Sequence, residues 1–445
     1  MSPTVVLKGA PPRTSSVEER LRALDVPGVS VAVIHHGRLA WVRAWGVADA
    51  RSGRPLTPDT RLMAGSISKP AVAMTALRLV AQGRLGLDED VDRRLVRWHL
   101  PPYAWHAQTP VTLRGLLSHT AGIGNVGGPG YGTAAPVPTL IQALSGEPPA
   151  TSPPVTAVQP PGQFSYSNDG YTIVQALIED VSGRDLPELA DAELFAPIGM
   201  HDSTFAQPHL HDWPGPRSFG HNAQGQVLEP GQFPTMPEMA PGGLWTTPRD
   251  LAKLLLAVRA LHAGRSSLLP PELTRQMLTP GAGHWGLGWD LEGGRVTHHG
   301  QLDGFLSTLF VTYDGEGVAI IANGNRAKPL LTELVQAVAT RYGWPWPRPE
   351  VRRAMPLDAG QRAQLVGRYD FGGPVVVISD DHGQLRWQAG YDAAPLYAAG
   401  PDELFTLELP LTARVERDEH GAVRALRVRL VDVEHEGKKI ASQEK

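Results

Sequence analysis

The sequence predicts an α+β fold followed by a small all-β barrel-like unit. Three observations carry this. Strand patterns occur before Gly46 and return after His284. Between Leu85 and Leu256, short helical runs alternate with Gly- and Pro-rich loops. Beyond a Pro-rich stretch, short strands punctuated by glycine turns run towards the C-terminus. One antiparallel sheet built from both chain ends, flanked by helices and carrying a helical insertion, is an α+β plan and not an alternating βαβ one.

The elements follow in order. "SVEERLRAL" has Val17, Leu21 and Leu24 at helical spacing, with Ser15 or Ser16 as a cap. "VSVAVIHHGRLAWVRAWG" reads as a hairpin: Val29, Val31 and Val33 alternate, and His36-Gly37 marks the turn. Ser66 to Ala81 is helical, with Gly83 as its stop. "VTLRGLLSH", "YTIVQALIEDVSG" and "PRDLAKLLLAVRAL" are helical runs of the insertion. "WGLGWDLEGGRVTHHG" and "FLSTLFVTYDGEGVAIIAN" bring strands back, with a turn at Asp314-Gly315. "LLTELVQAVATRY" is a closing helix. In "GWPWPRPE", proline at alternate positions enforces an extended linker. After it, turns at Gly373, His382-Gly383 and His420-Gly421 divide an antiparallel meander, a small barrel or sandwich.

Composition narrows the function. The formal net charge of −4 over 445 residues argues for neither nucleic acid nor an anionic membrane as partner. With no cysteine, disulfides, thiolate metal sites and a cysteine nucleophile are excluded. The N-terminal stretch lacks the basic-then-apolar pattern of a secretory signal, so a cytoplasmic location is expected.

"MAGSISKPAVAM" poses the chemical question. Ser66 and Lys69 are three apart, and i, i+3 side chains on a helix share a face. Pro70 fits only in a first turn, so the helix begins at or just before Ser66, in the positive end of its dipole. A serine needs a base to become a nucleophile. A lysine serves only if its pKa falls by about three units from about 10.4, which costs roughly 4 kcal/mol. The spacing alone is weak, since "SQEK" (Ser442 to Lys445) repeats it in a terminal tail. Two further patterns stand in order along the chain. "PGQFSYSNDGY" places Tyr166 and Asn168 two apart, and "RVTHHGQLDGF" places His298 and Gly300 two apart on a strand.

Ser-x-x-Lys, Tyr-x-Asn and His-x-Gly in this order resemble the penicillin-recognising serine hydrolases: β-lactamases, D,D-peptidases, and esterase and D-aminopeptidase relatives. "LLSHTAGI", "FAPIGMHDSTF" and "APGGLWTTPRDLAKLL" resemble phrases of the same family, so that the likeness runs from about Val26 to Asn323. The stretch after the linker resembles, more loosely, lipocalin-like barrels attached to some of these enzymes. The resemblance implies a β-lactamase-like domain over 1–343, a linker at 344–350 and an all-β lipocalin-like domain over 351–445.

By this resemblance Ser66 attacks the carbonyl, and Lys69 and Tyr166 share its proton. Asn168 binds Lys69 and the substrate amide. His298 and Gly300 form the third motif, and the backbone N–H groups of Ser66 and Gln301 make the oxyanion hole. Tyr166 stands where class A β-lactamases have serine, and His298 where many have lysine to receive a carboxylate. Histidine is largely neutral at pH 7. The expectation is therefore a hydrolase forming an acyl-serine, with D-aminopeptidase-like or esterase activity ahead of β-lactamase or D,D-carboxypeptidase. The substrate is a small molecule or short peptide, without cofactor. A non-catalytic binding or assembly protein on the same fold is the reading from a different class, and the complete Ser66, Lys69 and Tyr166 set counts against it. His209, His211 and His221 show no recurring metalloenzyme spacing, and no metal is expected.

Overall fold

Helix α1 (Val17–Ala23) is closed at its start by Ser16. The Ser16 hydroxyl accepts the Glu19 N–H at 3.1 Å, and the Glu19 carboxylate accepts the Ser16 N–H at 2.8 Å. Strands β1 (Gly28–His35) and β2 (Arg38–Asp49) form the expected hairpin. His36 and Gly37 both have positive φ, 51° and 70°, the handedness that matches the twist of two paired strands. The structure is a computed structural model. It describes residues 5–7, 15–126, 130–132, 135–207, 215–228, 235–345, 350–371, 375–390, 392–407, 409, 411–430 and 433–440.

The main sheet has six antiparallel strands. Strand β3 (Arg54–Pro55) pairs with β2 at one edge. The chain end of this unit supplies β4 (Arg295–Leu302), β5 (Phe305–Thr312) and β6 (Gly317–Ala322). The order is β3-β2-β1-β6-β5-β4, so β1 meets β6 at the centre and the sheet joins both ends of the sequence. Between β3 and β4 come α2 (Ser68–Ala81), α3 (Asn168–Ser182) and α4 (Pro248–His262). Helix α4 lies on the sheet. It buries Leu251, Leu254, Leu255 and Val258, which share one helical face. Each such side chain contributes about 1.5–3 kcal/mol on burial.

Val29, Val31 and Val33 alternate in β1, yet Ser30 and Ala32 are as buried as the valines, because a central strand is covered on both sides. One sequence expectation changes: the stretch after His284 does not return as a strand until Arg295. Its backbone is spent elsewhere: the Leu287 N–H donates to the Met277 carbonyl at 3.0 Å and the Gly288 N–H to the Leu117 carbonyl at 3.0 Å. Gly288, with φ 88°, supplies the fold-back.

Two compact units result, Leu21–Ala327 and a second comprising Met1–Arg20 with Lys328–Lys445. The second contains helix α5 (Lys328–Tyr342). It also contains a closed barrel of eight antiparallel strands. These are β7 (Gly367–Asp370), β8 (Val375–Asp381), β9 (Gln384–Ala389), β10 (Asp392–Gly400), β11 (Glu403–Thr406), β12 (Leu411–Arg417), β13 (Val423–Leu430) and β14 (Val433–Ile440). Tyr369, Ile378, Trp387, Leu404 and Leu426 fill its core, as an eight-stranded barrel has just the width to allow. Gly373 and "SQEK" lie outside the described residues. Among those described, no helix is long and apolar enough to cross a membrane.

Candidate active site

Ser66 sits in a single 3-10 turn, Gly65–Ile67, that runs into α2. The sequence placed Ser66 and Lys69 on one helix. The α-helix proper begins at Ser68, so Ser66 is carried on the tighter turn ahead of it. Gly65 takes φ 56°, a conformation that bends the chain into this turn. Ser68 clamps the turn: its hydroxyl donates to the Gly65 carbonyl at 2.6 Å and accepts the Leu244 N–H at 2.9 Å. The Ser307 hydroxyl, from β5, donates to the Ala64 carbonyl at 2.7 Å.

The Lys69 Nζ lies 3.0 Å from the Ser66 Oγ, 2.7 Å from the Asn168 Oδ1 and 2.8 Å from the Pro241 carbonyl oxygen. All three partners are uncharged. Lys69 is fully buried, and that desolvation pushes its pKa well below the usual lysine value. A neutral amine has two N–H donors and one lone pair. The two carbonyl oxygens, of Asn168 and Pro241, can take both donors, which leaves the lone pair for the Ser66 hydroxyl proton. This is the geometry of a general base.

Pro241 was inside a quoted stretch of the sequence but carried no role there. It arrives through Gln175 of α3. The Gln175 side chain accepts the Ala240 N–H at 3.0 Å and donates to the Pro237 carbonyl at 3.1 Å, fixing the segment that delivers Pro241.

Tyr166 hydrogen-bonds Ser66, and the Lys69 Nζ stands 4.9 Å from its ring centroid. Burial raises its pKa to about 12 despite the bond to Ser66, so at neutral pH it is a phenol and not a phenolate. Asn168 is the first residue of α3, whose cap is Ser167: the Ser167 hydroxyl accepts the Gly170 N–H at 2.8 Å. The Asn168 N–H donates to the Asn125 side chain at 2.9 Å. The Tyr-x-Asn spacing therefore puts the tyrosine just before a capped helix and the asparagine just inside it.

His298 and Gly300 lie on β4, the edge strand of the sheet. His298 is buried and its Nδ1 donates to the His299 carbonyl at 2.7 Å. Burial pushes its pKa well below the ordinary histidine value, so it is no fixed cation. Gly300 permits β4 to approach the nucleophile: a Cβ there would stand 2.0 Å from the Ala64 carbonyl oxygen. The Gln301 backbone nitrogen is 2.9 Å from where a Cβ on Gly65 would sit. An edge strand has N–H groups outside the ladder, so the structure brings Gln301 to the Ser66 turn with a backbone that can serve an oxyanion. All seven residues singled out in the sequence converge on one site.

One wall of the site is aromatic and was not anticipated. Trp285 is 5.8 Å from Tyr166 and 5.2 Å from His298, centroid to centroid, and Phe164 stacks on it at 5.8 Å. Phe164, Val126 and Val158 are among the few large apolar side chains left exposed. His221, named with His209 and His211, is occupied: Nδ1 donates to the Asn323 carbonyl at 2.7 Å and Nε2 accepts the Ala50 N–H at 3.2 Å. His209 and His211 lie outside the described residues.

A buried lysine set against a serine, with tyrosine and asparagine completing the network, belongs to a serine hydrolase. The Beta-lactamase family model matches residues 14–341, and the chain belongs to that family. Among curated proteins it is 29% identical to esterase EstB of Burkholderia gladioli over 304 residues, 61% of this chain and 76% of the esterase. Among solved structures it is similar to SurE with D-Leu, with a TM-score of 0.57 and 26% identity, covering 95% of this chain and 97% of that one. A D-amino acid amidase from Ochrobactrum anthropi SV3 complexed with D-phenylalanine shares the fold at TM-score 0.55 and 23% identity, covering 69% and 90%.

Proposed function

We propose that the protein hydrolyses a neutral ester or amide through an acyl-Ser66 intermediate, as an esterase or a D-aminopeptidase-like enzyme. The observation that carries this is the fully buried Lys69, 3.0 Å from Ser66 and hydrogen-bonded to the uncharged Asn168 and Pro241 oxygens. In the proposed sequence Lys69 takes the Ser66 proton as Oγ bonds to the carbonyl carbon. The oxyanion is received by the N–H groups of Ser66 and Gln301. Tyr166, a phenol beside Ser66, relays the proton from Lys69 to the departing alkoxide or amine. Water then cleaves the acyl-serine by the reverse relay.

Support for the substrate class comes from charge and surface. His298 is neutral and recessed, so it offers no fixed cation for a carboxylate. Phe164 and Trp285 suit an apolar acyl or side-chain group. Of the named relatives, one is an esterase and one was solved with D-Leu, which supports an ester or a D-amino-acid derivative as the substrate. β-Lactamase or D,D-carboxypeptidase activity is the alternative, and a substrate carboxylate held by another group would favour it.

The test is covalent labelling. A fluorophosphonate should add its mass to the Ser66 peptide, and the Ser66→Ala protein should stay unlabelled. A panel of short acyl esters, D- and L-amino-acid amides and a chromogenic cephalosporin then ranks the activities. Turnover of the cephalosporin above every ester and amide would reverse the ranking.

A further inference from the structure

We propose that His119 is a positioning residue that presents the Tyr166 hydroxyl to Ser66; this rests on the function proposed above. His119 belongs to "LLSHTAGI", a stretch to which the mechanism assigns nothing. It holds the chain on both sides of Tyr166. Its backbone carbonyl accepts the Ser165 N–H at 2.8 Å, and its ring Nδ1 accepts the Ser167 N–H at 3.1 Å. Between these two bonds its ring stacks on the Tyr166 ring, with centroids 4.3 Å apart and planes 30° apart. Three consecutive residues of the tyrosine segment are thus gripped by one side chain and its own carbonyl.

The grip defines the protonation state. Nδ1 can accept the Ser167 N–H only with its lone pair free, so the neutral ring carries its proton on Nε2. Nε2 is buried and has no hydrogen-bond partner among the described residues. A packed core histidine would ordinarily satisfy both nitrogens. Here the ring instead makes a T-shaped contact with Trp285, with centroids 4.8 Å apart. The backbone conformation is also uncommon: φ is 57°, in the left-handed region where histidine is tolerated and most residues are strained. Burial holds the ring neutral by lowering its pKa to about 3. A charged ring would carry protons on both nitrogens and lose the Ser167 bond.

The mechanism asks Tyr166 to pass a proton between Ser66 and the leaving group. A hydroxyl displaced by about an ångström can cost on the order of 10²-fold in rate. The titratable groups around it are Lys69 from α2, Tyr171 from α3, His298 from β4 and His119 itself. None but His119 bonds the backbone on either side of Tyr166.

Three variants separate the parts of the grip. His119→Asn keeps a left-handed residue and an acceptor but loses the stack. His119→Phe keeps the stack and loses the acceptor. His119→Ala loses both. Steady-state kinetics on a short p-nitrophenyl ester, the pH profile of kcat, the rate of fluorophosphonate labelling at Ser66 and thermal melting are measured for each. The expected result is a kcat loss on the order of 10²-fold for His119→Ala. KM should change little, a limb of the pH profile should move, and His119→Asn should recover part of the loss. Wild-type kcat and pH profile in a folded His119→Ala or His119→Phe protein would overturn the proposal. So would a loss carried by KM alone. If wild-type Ser66 takes no label, the proposed function itself fails; if it labels normally while the His119 variants behave as wild type, only the positioning role fails.

Discussion

The Lys69 amine and the Asn168 side-chain oxygen are 2.7 Å apart, inside a pocket where Lys69 is wholly removed from water. An uncharged amide at that distance accepts a hydrogen bond without stabilising a cation as a carboxylate would. In the proposed mechanism the neutrality of Asn168 keeps Lys69 available as a base. Asn168→Asp should place a negative charge on the amine and raise its pKa. Each unit of that rise removes tenfold of the neutral amine, about 1.4 kcal/mol. The acid limb of the kcat/KM profile should move to higher pH, with a deficit at pH 7 that narrows towards pH 10. Asn168→Ala, which adds no charge, should not move the limb upward. An unshifted limb in Asn168→Asp would show that Lys69 does not titrate in the reaction.

Lys69 and Tyr166 meet at Ser66 from opposite elements, one on α2 and one just before α3. If they pass one proton along one path, losing either breaks the whole path. Lys69→Ala and Tyr166→Phe should each cost several orders of magnitude in kcat, and the double variant little more. Ser442→Ala, in the tail that repeats the Ser-x-x-Lys spacing, should leave kinetics unchanged. Multiplying losses in the double variant would mean that the two residues act separately.

Much of this site was readable from sequence because its parts are local. Ser66 and Lys69 are joined by one turn, Tyr166 and Asn168 by one helix cap, and His298 and Gly300 by strand alternation. The sheet was readable for the same reason, through hairpin turns at His36-Gly37 and Asp314-Gly315. What escaped is what arrives by tertiary approach. The Pro241 carbonyl is a backbone group, and no residue type advertises it. Trp285 lies in a stretch whose apolar spacing mimics a strand, while its neighbours' backbone bonds go to Met277 and Leu117. His119 was visible as a letter, but its value lies in a ring stacked on a residue far along the chain.

His298 points to uncharged substrates. It is buried, donates to its neighbour's carbonyl and is held neutral by desolvation. Neutral esters and amides should therefore outperform analogues with a free carboxylate beside the scissile bond. His298→Lys should narrow the gap by adding a charge that persists at pH 7.5, and His298→Gln serves as the uncharged control. The measurement is kcat/KM for one neutral and one anionic analogue in all three proteins. A wild-type preference for the anionic analogue by tenfold, about 1.4 kcal/mol, would move D,D-peptidase activity to the front.

Three buried histidines should make the catalytic unit sensitive to mild acid. His119 has its pKa lowered by burial to about 3 from 6.5, and His221 and His298 are lowered by the same cause. An unfolded chain protonates these rings near pH 6.5, whereas the folded one resists. Between those two values the unfolded state holds more protons, so stability rises with pH and falls on acidification. At pH 5 the loss from His119 alone is roughly 2 kcal/mol. Carboxylates held below their usual range, such as Asp49 and Asp88, titrate lower still and do not contribute in the interval from pH 7 to pH 5. Urea unfolding midpoints followed by tryptophan fluorescence should therefore drop over that interval. In His119→Asn the drop should be smaller, because one of the three proton acceptors is gone. A flat wild-type profile between pH 7 and pH 5 would mean that proton uptake by these rings on unfolding does not govern stability over that interval.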